Sequence, residues 1–151
     1  MENKAKATKV LSFKATVSLG SFYDESSRET KDFVSVMLIS PFDDEDFTDT
    51  RIEPKWKDAK GTFNYKAKKA LKLQDNFELN GEIRKVSYYN KKKKRYVDYP
   101  GMFVKDPFGN DREIEFGVKR EEDAAVFSML ASEYFNEALE SETAETESPL
   151  N

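Results

Sequence analysis

The sequence predicts an α+β domain: one antiparallel β-sheet of about six to seven strands, then a single C-terminal α-helix and a disordered acidic tail. Three observations predict it. Apolar and polar residues alternate in short runs along most of the chain. The apolar period changes from 2 to 3.6 near residue 121. The last residues lose their aromatics and become rich in Glu, Ser and Thr. The sheet can be open or barrel-like, and periodicity alone does not choose between them.

The elements follow in order. Residues 1–9 are polar and are expected to be flexible. Leu11, Phe13, Ala15, Val17 and Leu19 alternate with Ser12, Lys14, Thr16 and Ser18, which predicts a strand with one wet face. Residues 20–32 read as a polar connection. Phe33 to Ser40 is apolar at nearly every position and reads as a central strand buried on both faces, stopped by Pro41. Residues 43–60 read as an irregular acidic stretch, with Trp56 assigned to the core. Gly61 opens a further run in which Phe63, Tyr65 and Ala67 alternate with Thr62, Asn64 and Lys66, a strand pattern resumed by Leu71, Leu73, Phe77 and Leu79.

Gly81 reads as a turn or bulge. Ile83 to Tyr89 and Tyr96 to Tyr99 read as two strands around a hairpin tip at Asn90 to Lys94. Pro100-Gly101 and Pro107 to Asp111 read as turns flanking Met102 to Val104, and Ile114, Phe116 and Val118 form the last strand. Phe127, Leu130, Ala131, Tyr134, Phe135 and Ala138 then make one apolar stripe, which predicts a helix over about 121–140. Glu121, Glu122 and Asp123 complement its dipole. The domain is predicted to span 10–140, with 141–151 as the tail. Whether the N-terminal half joins the same sheet stays open.

Composition narrows the chemistry. The 151 residues include no Cys and no His, so disulfides, thiolates, imidazole bases and the usual zinc ligands are all missing. No enzyme, metal or cofactor is expected. No apolar run approaches the roughly 20 residues that span a bilayer, and no secretory apolar segment follows the N-terminus, so a cytoplasmic protein without membrane contact is expected. The net charge of −4 is segregated. From 55 to 95 there are 14 basic against 4 acidic residues, from 41 to 53 there are 1 against 6, and from 120 to 151 there are 1 against 9. A ligand meets such local fields rather than the mean.

Two basic groups stand out as a nucleic-acid-binding site. The run Lys91, Lys92, Lys93, Lys94 and Arg95 sits at the hairpin tip, flanked by Tyr88, Tyr89, Tyr96 and Tyr99. Mobile cations suit phosphates, and flat rings suit exposed bases. Lys66, Lys68, Lys69 and Lys72 form the second group, with the even-numbered lysines expected along one strand face and Arg84 and Lys85 beside them on a paired strand. Together they predict one continuous basic surface carrying the tyrosines. Asp43, Asp44, Glu45, Asp46 and Asp49 offer oxygen ligands, but their spacing matches no EF-hand loop and they read as an acidic loop.

From Ala70 to about Leu139 the chain also carries Ala70-Leu71-Lys72-Leu73-Gln74-Asp75-Asn76-Phe77, Gly81-Glu82-Ile83-Arg84-Lys85-Val86, Gly101-Met102-Phe103-Val104-Lys105-Asp106-Pro107, Arg112-Glu113-Ile114, and Ala125-Val126-Phe127 through Glu133-Tyr134. In order and rough spacing this resembles the stage V sporulation protein G (SpoVG) family. The segment departs from that pattern at Asn80, at Phe116-Gly117 and in the added hairpin residues 90–100. The resemblance implies a small α+β homodimer that binds DNA or RNA and regulates genes.

The leading expectation is therefore a nucleic-acid-binding regulator, for single-stranded DNA or RNA with low sequence specificity; a phage or mobile-element single-strand-binding protein is a close variant. The acidic tail would temper binding or recruit a protein partner. The alternative is a phage or mobile-element interaction module that uses its acidic segments to occupy a basic host protein.

Overall fold

The computed structural model describes residues 9–143 apart from Asp46 and Gln74, with side chains as far as 136. The chain forms β1 (Val10–Asp24), β2 (Glu29–Ile39), β3 (Thr50–Pro54), α1 (Lys57–Ala70), β4 (Asn76–Asn90), β5 (Arg95–Asp106), β6 (Arg112–Val118) and α2 (Glu121–Thr143). The strands close into one barrel in the order β1-β2-β3-β6-β5-β4. Every neighbouring pair is antiparallel, so the N-terminal half belongs to the same sheet as the rest.

Alternation explains the interior. Phe13, Ala15, Val17 and Leu19 of β1 point inward with Val36 and Leu38, Ile52, Leu79 and Ile83, Met102 and Val104, and Ile114 and Phe116. Six strands leave a lumen that side chains alone can fill. Large and small residues face each other: Phe13 is opposite Gly81 across the β1–β4 pair. A Cβ on Gly81 would lie 2.4 Å from the Phe13 ring and 2.8 Å from the Phe103 carbonyl oxygen. Gly81→Ala is therefore expected to destabilise the barrel by about 1–3 kcal/mol, the usual range for overpacking, read from the urea midpoint. An unchanged midpoint would remove this account of the glycine.

The two helices stopper opposite ends. β3 runs into α1, and Phe63 of α1 meets Phe116 edge-on at 5.4 Å and Phe108 at 5.7 Å. β6 runs into α2, where Phe127, Leu130, Ala131 and Phe135 are buried. Phe42 and Phe47 pack on Phe127, and Thr50 donates to Asp123 Oδ2 at 2.7 Å. Among the described residues, no helix is long and apolar enough to cross a membrane.

Several local expectations are corrected. Residues 57–70 are helix, not loop and strand. Phe63 and Ala67 are its buried face, four residues apart, while Tyr65 between them is exposed. The spacing of Phe63 and Ala67 fits both periods, and the Ala and Lys content favours helix. The acidic stretch holds β3. Residues 20–32 are mostly strand, closed by a four-residue turn at 25–28. Phe33 to Ser40 buries only Val36 and Leu38, and Ile39 is exposed, because a barrel strand has a wet outer face. Leu73 and Phe77 are also exposed.

Gly81 and Pro100-Gly101 lie within strands rather than at turns. Pro100 is tolerated because the β5–β6 pairs begin only at Met102, leaving that edge free. α2 extends to Thr143, so 141–143 are helical, contrary to the predicted tail. Residues 1–8 and 144–151, expected to be flexible, and the Ala138 side chain lie outside the described residues.

Candidate nucleic-acid interface

The β4–β5 hairpin outgrows the barrel. β1 pairs with β4 only up to Arg84, and β6 pairs with β5 only from Met102, so residues 85–100 form a free two-stranded ribbon. Its tip is built by Asn90. The Asn90 side-chain oxygen accepts the Lys92 and Lys93 N–H groups at 3.0 Å each, and its carbonyl accepts the Lys94 N–H at 2.7 Å. Lys94 takes a left-handed φ of 56° to close the loop. Asn is suited to start such a turn because its side chain satisfies backbone donors two and three residues on. Lys91, Lys92, Lys93, Lys94 and Arg95 are all exposed. None has a carboxylate within ion-pair distance among the described residues.

The tyrosines form two pairs rather than one cluster. Tyr89 stands opposite Tyr96 with ring centroids 5.3 Å apart, and these rings are 50% and 69% exposed. On this face Lys85 pairs with Asp98 at 3.6 Å, and Ser87 also donates to Asp98. Strand alternation puts Tyr88 and Tyr99 on the other face, 5.9 Å apart.

That second face continues onto the barrel. Tyr99 donates to Glu115 Oε2 at 2.7 Å. Lys55 Nζ lies 4.2 Å from the Tyr99 ring, 5.3 Å from the Trp56 ring and 3.2 Å from Glu115. Burial, and next the Glu115 hydrogen bond, raise the Tyr99 phenol above its ordinary value. Burial pulls the Lys55 ammonium down, but its contacts with Tyr99 and Glu115 outweigh this and hold it above the ordinary value. Lys55 thus stays cationic and fixed between two rings. Trp56 is 58% exposed and not a core residue as expected, so the outer face carries an unbroken series: Trp56, Lys55, Tyr99, Tyr88 and then the tip. Trp56 and Lys55 were missed as site residues. Alternation misled here: Ile52, Pro54 and Trp56 alternate with Arg51, Glu53 and Lys55, and Ile52 and Pro54 are buried, but the chain turns into α1 after Pro54 and leaves the ring outside.

The remaining predicted residues do not join the tip directly. Arg84 lies over the Phe103 ring at 4.4 Å and is paired with Glu82 at 3.1 Å and with Glu113. The Glu113 hydrogen bonds hold its guanidinium above its ordinary value against partial burial, so its charge is already answered within the protein. Lys66, Lys68 and Lys69 are on α1, with Lys72 just beyond it, at the barrel end opposite the tip. β4 separates Lys72 from Lys91, a contour of about 45 Å. The expected single strand face of Lys66, Lys68 and Lys72 is replaced by a helix, on which Lys66 and Lys69 occupy a different flank from Lys68. Lys69 donates to the Tyr65 hydroxyl at 3.3 Å. The predicted surface is therefore divided between the two barrel ends and the two ribbon faces.

In the acidic loop, Asp49 accepts the Ser40 N–H at 3.1 Å, while Asp46 lies outside the described residues. Among the described residues no three carboxylates gather to hold a metal ion. Compared with family models, with curated proteins and with solved structures, the chain matches none.

Proposed function

We propose that this protein binds single-stranded DNA or RNA with low sequence specificity and acts as a non-catalytic, cytoplasmic regulator. One observation carries the reading: an exposed outer face on which Trp56, Lys55, Tyr99 and Tyr88 lead to five cations that have no carboxylate partner among the described residues. Bases present flat faces that stack on such rings whatever their identity. The tip cations meet phosphates and release counterions, which makes binding steeply salt-dependent. The Glu115 carboxylate holds the Lys55 ammonium and the Tyr99 hydroxyl in place, so the platform is ordered before a strand arrives. The resemblance to the SpoVG family over Ala70 to about Leu139 supports the same reading, with ribbon residues 90–100 added to that pattern.

Trp56 is the single tryptophan, so its emission reports the platform alone. Titrating the full chain with oligo(dT) or oligo(rU) in low salt is expected to quench it, and added salt to restore it. Trp56→Ala is expected to weaken binding by roughly 5- to 100-fold, the range for one lost stacking contact. Emission that stays constant with both oligonucleotides at low salt would refute the reading.

A further inference from the structure

A second basic surface lies where α1 meets β2 and β3. Here a groove of about 210 Å³ is lined by Arg51, Lys60, Lys68 and Lys119, with Asn64 between the helix lysines. Lys60, Asn64 and Lys68 recur every four residues and so form one stripe of α1. Two carboxylates also line the groove, Asp32 and Glu53, and Lys60 answers Glu53 at 3.0 Å. Arg51, Lys68 and Lys119 have no ion-pair partner among the described residues, and Arg51 lies 6.0 Å from the Phe33 ring. The volume is that of about seven waters, enough for a phosphate and its solvent.

Its place in the fold gives it meaning. Thr50, Ile52 and Pro54 of β3 are buried, so Arg51 and Glu53 face outward, on the side where Lys55 meets the Tyr99 and Trp56 rings. The groove therefore opens onto the same outer face as the aromatic series. It also brings Lys68 of α1, which the barrel's length separates from the tip, to the far end of that series.

We propose that this groove is a second phosphate site, occupied by a phosphodiester of the same single strand that stacks on Trp56 and Tyr99 and reaches the tip. The inference rests on the nucleic-acid reading and deepens it. Arg51, Lys68 and Lys119 are exposed and Lys60 is half-buried, so each contact alone is weak. A strand already held at the tip supplies the second phosphate at high effective concentration, whereas a free anion has no such advantage.

The test uses the full chain and fluorescently labelled oligo(dT) of two lengths, roughly 6 and roughly 25 nucleotides, bracketing the usual site sizes. The variant is Arg51→Gln with Lys68→Gln and Lys119→Gln, all at exposed positions, with its circular dichroism melt compared with wild type. For the long oligonucleotide the slope of log affinity against log salt is expected to fall by about 0.7, as the loss of one phosphate contact on a single strand requires. For the short one it is expected not to change. Equal slopes with the long oligonucleotide, while Lys91–Arg95→Ala still abolishes binding, would overturn the groove and leave the main reading standing. A wild-type chain that binds neither length at low salt would overturn both. Tight, saturable binding of inorganic pyrophosphate alone, lost in the triple variant, would replace the strand with a free anion as the occupant and so overturn the proposal.

Discussion

Replacing Lys91, Lys92, Lys93, Lys94 and Arg95 with alanine is expected to lower affinity for a single-stranded oligonucleotide by roughly a thousandfold at about 0.1 M salt. The estimate follows from counterion release. Each phosphate contact on a single strand contributes about 0.7 to the salt slope, so five contacts contribute about 3.5, and near 0.1 M each unit is about tenfold. The barrel is expected to keep its stability, because the tip is ordered by Asn90 and by backbone hydrogen bonds rather than by its cations. Anisotropy measured at several salt concentrations checks this. Arg84→Gln serves as the internal control. Its charge is already met by Glu82 and Glu113, so it is expected to leave the slope unchanged. If the alanine variant keeps the wild-type slope, the tip is merely a solvated turn.

Phe63→Ala is expected to cost about 3–5 kcal/mol. Phe63 is fully buried and edge-on to Phe108 and Phe116, so its ring joins α1 to the lumen and to the β5–β6 turn. Truncation leaves a cavity between elements that cannot close over it without moving the helix. With a urea m-value of about 2 kcal/mol/M, the midpoint should fall by about 2 M. Trp56→Ala, one residue before the same helix, is expected to shift stability by no more than about 0.5 kcal/mol because the ring is mostly exposed. A Phe63→Ala midpoint near wild type would mean that α1 does not stopper the barrel.

Much of this fold was legible in residue order. The alternation from Leu11 to Leu19 is β1, the polar tip after Asn90 is the β4–β5 turn, and the stripe at Phe127, Leu130, Ala131 and Phe135 is the buried face of α2. Each is a local period, set by where successive Cβ atoms point. Where two periods fit the same residues, reading failed. Phe63 and Ala67 obey both, and only the exposure of Tyr65 between them shows which one applies. Gly and Pro misled in the same way. Gly81 is required by the Phe13 ring across the sheet, not by a turn, and Pro100 is permitted by a missing neighbour.

The candidate site was legible only in part. The five tip cations and their flanking tyrosines could be named from their clustering. Their division between two ribbon faces, the exposure of Trp56 and the place of Lys55 between two rings could not, because each depends on β3, β5 and β6 meeting.

By itself the sequence determined the strand periods, the C-terminal helix, the hairpin carrying the basic run, and a side-chain inventory without thiol or imidazole. Only the tertiary structure decided that the sheet closes, that α1 and the tip lie at opposite ends, and which cations have no ion-pair partner among the described residues. Arg84 and Glu113 are 29 residues apart, and nothing local in the chain foretells that one will neutralise the other. Direction along a strand is a property of neighbouring bonds, whereas charge compensation depends on distances across the fold, and those exist only once the barrel has formed.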